Sequence, residues 1–382
     1  MASLKERLAA LRREAAKNNL TPAASLPRPA RGGRAPLPPE ARGWQKLAEY
    51  VFVREETFGV QPQTLHSIEA AVRFFLEGTP PEALLWYDTE TTGLSGGAGT
   101  SIFLYGSGRL CGGKIKLRQL FLADFPGERD FLAAAAEDFE RGGTVMLSYN
   151  GKAFDAPLLR GRFIMNRMAR ELPPQFDLLF TARRLWKDIL PGCSLGVIEK
   201  HILGKTRSLD IPGRMIPDVY FDYLAGKPHV LPRVTSHHRE DILSLVELFA
   251  RYGKITENPS LAGEVHKAAL GAMIEARFPG GGLAFIRDAA SNGDEAALVW
   301  LSRHYKRRGD FDEAEKLWKA LAEKSYFAAL ELAKHLEHRI HDYAGALALA
   351  EKLYARKARL ASALSETLPK RIERLRKKLG RL

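Results

Sequence analysis

Three runs rich in β-branched and aromatic residues follow one another between residues 84 and 124: LLWYD (84–88), SIFLYGSG (101–108) and IKLRQLFLAD (115–124), parted by glycine clusters. Runs punctuated in this way predict a meander of three strands. A helix is predicted next at about 129–140, with FLAAAAEDF its strongest helix-forming stretch. TVMLSY (144–149) reads as a buried strand, and a helix is expected from about Phe154 to Met168. FDLLF opens a short strand or helix near 176, and PGCSLGVIEKHIL reads as a loop feeding a helix. REDILSLVELFARYG then places apolar residues at 242, 243, 245, 246, 248 and 249 on a helix expected to pack on the sheet. The order predicts an α/β fold with a mixed sheet flanked by helices, although the pattern alone leaves other α/β folds open.

Beyond about residue 256 the texture changes to Ala, Leu, Glu and Lys with no β-rich run. ALVWLSRHYKRRGDFDEAEKLW begins at Ala297 and ALELAKHLEHRIHDYAGALALA at Ala329, an offset of 32 that aligns Asp310 with Asp342, Phe311 with Tyr343, Ala314 with Ala346 and Leu317 with Leu349. Small and aromatic residues recurring at such a period suit stacked helix hairpins of the tetratricopeptide (TPR) kind, and equally a plain helical bundle. The expected division is a basic segment and Pro/Ala/Arg-rich linker over 1–43, an α/β domain over 44–255 and an all-α TPR-like domain over 256–382.

The net charge of +13 is unevenly placed. Residues 1–43 carry nine Lys/Arg against three acids, and residues 366–382 carry seven against two, so eleven of the thirteen excess charges lie at the two ends. Basic arms around a near-neutral body suit a polyanionic partner such as a nucleic acid, or serve solubility alone. The N-terminal MASLKERLAALRREAAKNN lacks the apolar core of a secretory signal, and no apolar run is long enough to span a bilayer. A cytoplasmic protein with no membrane partner is expected. The two cysteines, Cys111 and Cys193, are far apart and suggest neither a disulfide framework nor a thiolate zinc site.

Three strings carry the chemistry, and each has a structural explanation of its own. In WYDTETTGL (86–94), Asp88 and Glu90 fall at a predicted strand end on the same side, where two carboxylates repel unless a cation lies between them. Otherwise this is a solvated turn. In LSYNGKAFDAPLL (147–159), a strand leads into a helix carrying Asp155, which also suits an N-cap followed by Pro157 in the first turn. In TSHHREDILSL (235–245), Ser236 suits a helix cap, and Asp241 stands four residues after His237, so both share a face. Acids near a helix start are also favoured by its dipole, which gives Glu240 and Asp241 a structural reason to be there.

Taken together, DTETTGL, SYNGKAFDAPLL, FDLLFTARRLW, CSLGVIEKHILG, DIPG and HHREDILSL resemble the DEDD exonuclease superfamily. The closer similarity is to the YprB-like branch of ribonuclease H-like proteins, over about residues 45–255. The resemblance implies a nuclease acting on DNA or RNA, more from a 3′ end than internally, with two Mg²⁺ or Mn²⁺ ions held by Asp88, Glu90, Asp155 and Asp241. It implies His237 as the group that orients or deprotonates water, and Thr91, Asn150, Lys152 and Phe154 as substrate contacts. The likeness departs from its pattern at one point. The position five residues before the last Asp, usual for a catalytic histidine, is Ser236, while His237 has the spacing of the tyrosine-bearing subgroup, and His238 is a rival about a hundred degrees away on a helix.

Asp177 suits a structural or capping role better than metal binding, and Lys152 and Arg160 suit phosphate contact or solvated surface equally. LGKT (203–206) lacks the earlier glycine of a phosphate loop, Glu199 standing there instead. His335, His338 and His341 recur at threes without further ligands nearby and fit a polar helix face. Two other functions remain open: a structure-selective endonuclease, and a nucleic-acid-binding or TPR-type adaptor with little catalysis that takes a protein partner through its helical region.

Overall fold

The meander expected from residues 84–124 forms, but as the middle of a larger sheet. The computed structural model describes residues 37–40, 42–93, 99–207, 211–355 and 362–380, so the basic segment and linker of 1–43 lie almost wholly outside the described residues, as do Leu94 of the first motif and Asp210 of DIPG. The strands are β1 (Gln45–Ala48), β2 (Val51–Gly59), β3 (Leu84–Thr91), β4 (Ile102–Cys111), β5 (Lys114–Leu122), β6 (Val145–Ser148) and β7 (Gln175–Asp177), in the order β1-β2-β5-β4-β3-β6-β7. Pairing is antiparallel from β1 to β3 and parallel from β3 through β6 to β7. β1 and β2 are additions to the expected meander. Their signal is masked by Arg54, Glu55 and Glu56 in mid-strand, but Arg54 is buried there by hydrogen bonds to Gln119 and an ion pair with Glu40.

Helices cover both faces. On one side α1 (Pro62–Phe75) packs along a helix of residues 231–257, under which Trp86 of β3 meets Phe249 edge-on at 6.3 Å. On the other, Leu85, Tyr87, Phe103 and Tyr105 share a core with α2 (Glu128–Ala136) and α3 (Asp155–Met165). β7 runs directly into α4 (Leu178–Trp186), so FDLLF is both strand and helix. α5 (Leu195–Ile198) continues as a π-turn over Glu199–Leu203, and LGKT thus follows helix rather than strand. After α6 (Ile216–Leu224), whose Tyr220 stacks on Phe103 with ring centres 4.1 Å apart, comes α7 (Leu231–Glu257).

α7 corrects one expectation: it starts at Leu231, so Ser236 lies inside the helix and caps nothing, and Glu240 and Asp241 are far from its first turn. The dipole explanation for these acids therefore falls. Two glycines set how close α7 comes. A Cβ on Gly253 would stand 1.8 Å from the Ser67 carbonyl oxygen of α1, and one on Gly106 of β4 would stand 2.3 Å from Ile242 and 2.4 Å from His238. Only a bare backbone at these two places permits that contact.

The helical region comprises α8 (Lys267–Arg277), α9 (Leu283–Ser291), α10 (Glu295–Arg308), α11 (Phe311–Leu321), α12 (Tyr326–His335), α13 (Tyr343–Ala355) and α14 (Ser362–Leu379). The internal repeat is visible in it: Phe311 and Tyr343 each open a helix, and Ala314 and Ala346 are each wholly buried one turn later. His335 is buried and stacked on Phe311 while His338 and His341 are exposed, so the three do not share a face. Contacts divide the chain into two compact units, one running to Arg183 and resuming over Leu190–Ala262, the other holding Arg184–Ile189 and Gly263–Leu382. Among the described residues no helix is long and apolar enough to cross a membrane.

Candidate functional site

Alternation along β3 sorts its last residues onto two faces. Asp88 and Glu90 turn toward α7, whereas Tyr87 and Thr89 turn toward α3. The pairing of β3 with β4 becomes irregular between Glu90 and Thr91, so these carboxylates sit where the ladder ends. From α7 come His237, His238 and Asp241, one helical turn separating the first from the last.

His237 and Asp241 meet as their spacing predicts, with Nε2 3.2 Å from an Asp241 carboxylate oxygen and 4.0 Å from Glu90. Among the described residues, Glu90, His237 and Asp241 form a group whose ligand atoms all lie within 4.8 Å of one another. Asp88 is next to it. Burial and the charges of Asp155, Asp241 and Glu90 push its carboxyl well above the usual range, against one backbone N–H from Thr89. Asp241 is likewise raised by burial, in spite of His237 and Arg207 beside it.

Asp155 arrives from the opposite face of the sheet. Phe154, not Asp155, stands at the N-cap of α3, so the capping explanation does not hold. The Asp155 carboxylate instead accepts a hydrogen bond from the Thr89 hydroxyl, and burial lifts its pKa to about 6. Thr89 thereby ties the second motif to the first across the parallel β3–β6 pair.

The histidines separate clearly. His238 is wholly buried, its Nδ1 bonded to the Gln119 amide and its Nε2 donating to the Asp88 carbonyl, and burial pushes its pKa down to about 3. Both nitrogens are thus used in holding α7 to β3 and β5. His237 keeps 16% of its side chain open. Arg207 donates from Nη1 to its Nδ1 at 3.0 Å, and because a guanidinium only donates, the His237 proton is assigned to Nε2, facing Asp241.

The remaining expected residues are placed more loosely. Thr91 is buried and gives its hydroxyl to the Gly93 carbonyl, closing the turn. Asn150, Lys152 and Phe154 lie in the β6–α3 connection, with Asn150 in a left-handed conformation (φ 69°) and exposed together with Lys152. Asp177 accepts backbone N–H groups from Asn150, Lys152 and Leu179, which fixes that connection and matches its expected structural role.

Sequence reading missed Glu199 and Arg207. Arg207 Nη2 bridges the Asp241 carboxylate, at 2.5 Å, and that of Glu199. Burial works against its charge, but the two acids outweigh it and raise its pKa. The available signal was Glu199 itself, an acid within the apolar string VIEKHIL, buried with its side chain 4% exposed. An acid on such a face needs a cation nearby.

The donor set is mostly carboxylate oxygen with one imidazole, which suits a divalent cation that prefers oxygen ligands. Among the described residues Glu90, His237 and Asp241 stand close enough to share one ion, with Asp88 beside them.

The sequence matches the RNase H superfamily over residues 85–252. It is 35% identical over 312 residues to the uncharacterized protein YprB of Bacillus subtilis (strain 168), covering 77% of this chain and 75% of that protein. Two solved structures of exonuclease I are also similar: one at 15% identity and TM-score 0.30 over 56% of this chain, and the E. coli enzyme in complex with a dT13 oligonucleotide at 15% and TM-score 0.28 over 50%. The chain spans 45% of the length of each of these. On the extent and identity of the match to YprB, the chain belongs to the YprB-like family, and its α/β unit to the RNase H superfamily.

Proposed function

We propose that this protein is a metal-dependent nuclease that hydrolyses phosphodiester bonds of DNA or RNA, as a 3′-5′ exonuclease of the DEDD type. The observation that carries the reading is the carboxylate cluster: Glu90 and Asp241 stand together with His237, and Asp88 is raised by burial and by the charges of Asp155, Asp241 and Glu90. A fold gains no stability from acids gathered in a largely desolvated place without enough counter-charge. When bound, divalent ions supply Lewis acidity for the attacking water and neutralise charge on the phosphate.

The chain's own residues do the rest. Asp88 and Glu90, fixed on a strand, and Asp155 and Asp241, fixed on helices, give the site its geometry before substrate arrives. His237 stands at the open side of the site within reach of Glu90 and Asp241, where its Nε2–H orients the water. His238, sealed in the core, holds the Asp88 backbone instead. Lys152, exposed in the β6–α3 connection, is the residue proposed to meet phosphate.

The test is incubation with 3′- and 5′-labelled single- and double-stranded DNA and RNA in Mg²⁺, Mn²⁺ or EDTA. A metal-dependent ladder shortening from the 3′ end, and no cut in circular substrates, is the expected result. Cutting of circles would move the reading to an endonuclease, and binding without cleavage under every ion would overturn it.

A further inference from the structure

Arg207 lies on the carboxylate that the proposed mechanism needs for an ion. Its Nη2 is 2.5 Å from Asp241 and is shared with Glu199, and its Nη1 is 3.0 Å from His237 Nδ1. We infer that Arg207 is a displaceable placeholder for the divalent cation, holding Asp241 and His237 in position in the ion-free protein and moving over to Glu199 when the ion binds. The inference rests on the metal-dependent reading above and adds a positioning residue to it.

A divalent ion at bonding distance, about 2.1 Å from a carboxylate oxygen, competes with the guanidinium for the same acid. Two cations sharing that acid repel, so one must yield. Glu199 gives Arg207 somewhere to go. Its carboxylate already bonds the same nitrogen and is buried, so Arg207 keeps a charged partner after losing Asp241 and does not have to enter water. The arrangement therefore lets Asp241 exchange one cation for another without ever being left uncompensated. Glu199 favours ion binding by attracting Arg207 away, and Arg207 opposes it.

These two roles make opposite predictions. Mn²⁺ binding is measured on the full chain without nucleic acid, by calorimetry and by the spin-resonance signal of free Mn²⁺. Glu199→Gln, which removes the charged acid that competes with Asp241 for Arg207 Nη2, is expected to weaken Mn²⁺ binding about tenfold. The double variant Arg207→Met/Glu199→Gln removes the competitor and its buried counter-charge together, and is expected to bind about tenfold more tightly than wild type. Arg207→Lys, which spans the two acids less well, falls between wild type and the double variant and serves if the latter does not fold. A purely structural ion pair would leave folded variants with unchanged Mn²⁺ affinity or shift all of them the same way, and either result overturns the inference. If wild type binds Mn²⁺, Asp88→Asn abolishes that binding and the Arg207 and Glu199 variants match wild type, this inference alone fails. If wild type neither binds Mn²⁺ nor cleaves, the proposed function falls and takes the inference with it.

Discussion

Two buried clusters of charge in this chain are built in opposite senses. In the helical unit one acid, Glu337, wholly buried, is surrounded by Arg371, Arg374 and Lys378 from α14. Burial pushes its pKa up, but hydrogen bonds from Arg374 and Lys378 and the charge of Arg371 outweigh this and hold it at about 2. In the α/β unit the balance is reversed at Asp88, which burial and the charges of Asp155, Asp241 and Glu90 raise with no cation among the described residues to offset them. Glu337 pins α14 to the turn after α12, and such pairing serves the fold. Excess acid serves it badly, which is why the proposed function gives this cluster a divalent cation.

The sharpest way to break this contrast is to neutralise one acid on the deficient side. Asp88→Asn should lower cleavage on the order of a thousandfold, about 4 kcal/mol of barrier, in single-turnover assays with Mn²⁺. Residual activity near wild type would remove Asp88 from the site. On the compensated side the effect should fall on stability. Glu337→Leu leaves Arg371, the most enclosed of the three cations, without this acid and should cost about 3 kcal/mol in urea unfolding, with cleavage per folded molecule unchanged.

The pH response follows from the same cluster. Glu337 has a folded pKa of about 2, below its ordinary 4.5. Its contribution is therefore fully present above pH 4.5 and is lost as the pH falls from 4.5 to 2. The shift is worth about 3 kcal/mol at full strength and about 1–2 kcal/mol after solvent screening on the side where Arg374 is half exposed. Urea midpoints of wild type should fall across that window, and those of Glu337→Leu should fall less. Equal slopes would mean that Glu337 is not held down. The smallest effect has the opposite sign: Asp155→Asn should make the ion-free protein more stable by about 1 kcal/mol, because it removes a buried charge. A loss there would mean that the carboxylate is structurally compensated.

What could be read from sequence follows the same division. Asp88, Glu90, His237 and Asp241 were legible because strand and helix periodicity fix which side chains share a face, and the structure brings these four to one place. The strand β2 was obscured because Arg54 looks like a surface residue until Gln119 and Glu40 are placed around it. The start of α7 was misplaced by six residues, from an N-cap at Val230 to one at Ser236, because a serine resembling a cap lies in its second turn. Arg207 was invisible for a related reason. A guanidinium reaching Asp241 from 34 positions away leaves no local pattern, and only the buried Glu199 hinted at it. The histidine question also needed coordinates, since His237 and His238 are adjacent in sequence but one faces the acids and the other the core.

The most direct test is a chelation and restoration experiment on wild type and Asp88→Asn side by side, with end-labelled oligonucleotide as substrate. Cleavage by wild type should disappear in EDTA and return with excess Mn²⁺, while Asp88→Asn, folded and no less stable than wild type, should stay inactive at every Mn²⁺ concentration. Cleavage that survives EDTA, or that Asp88→Asn retains in full, would contradict the account.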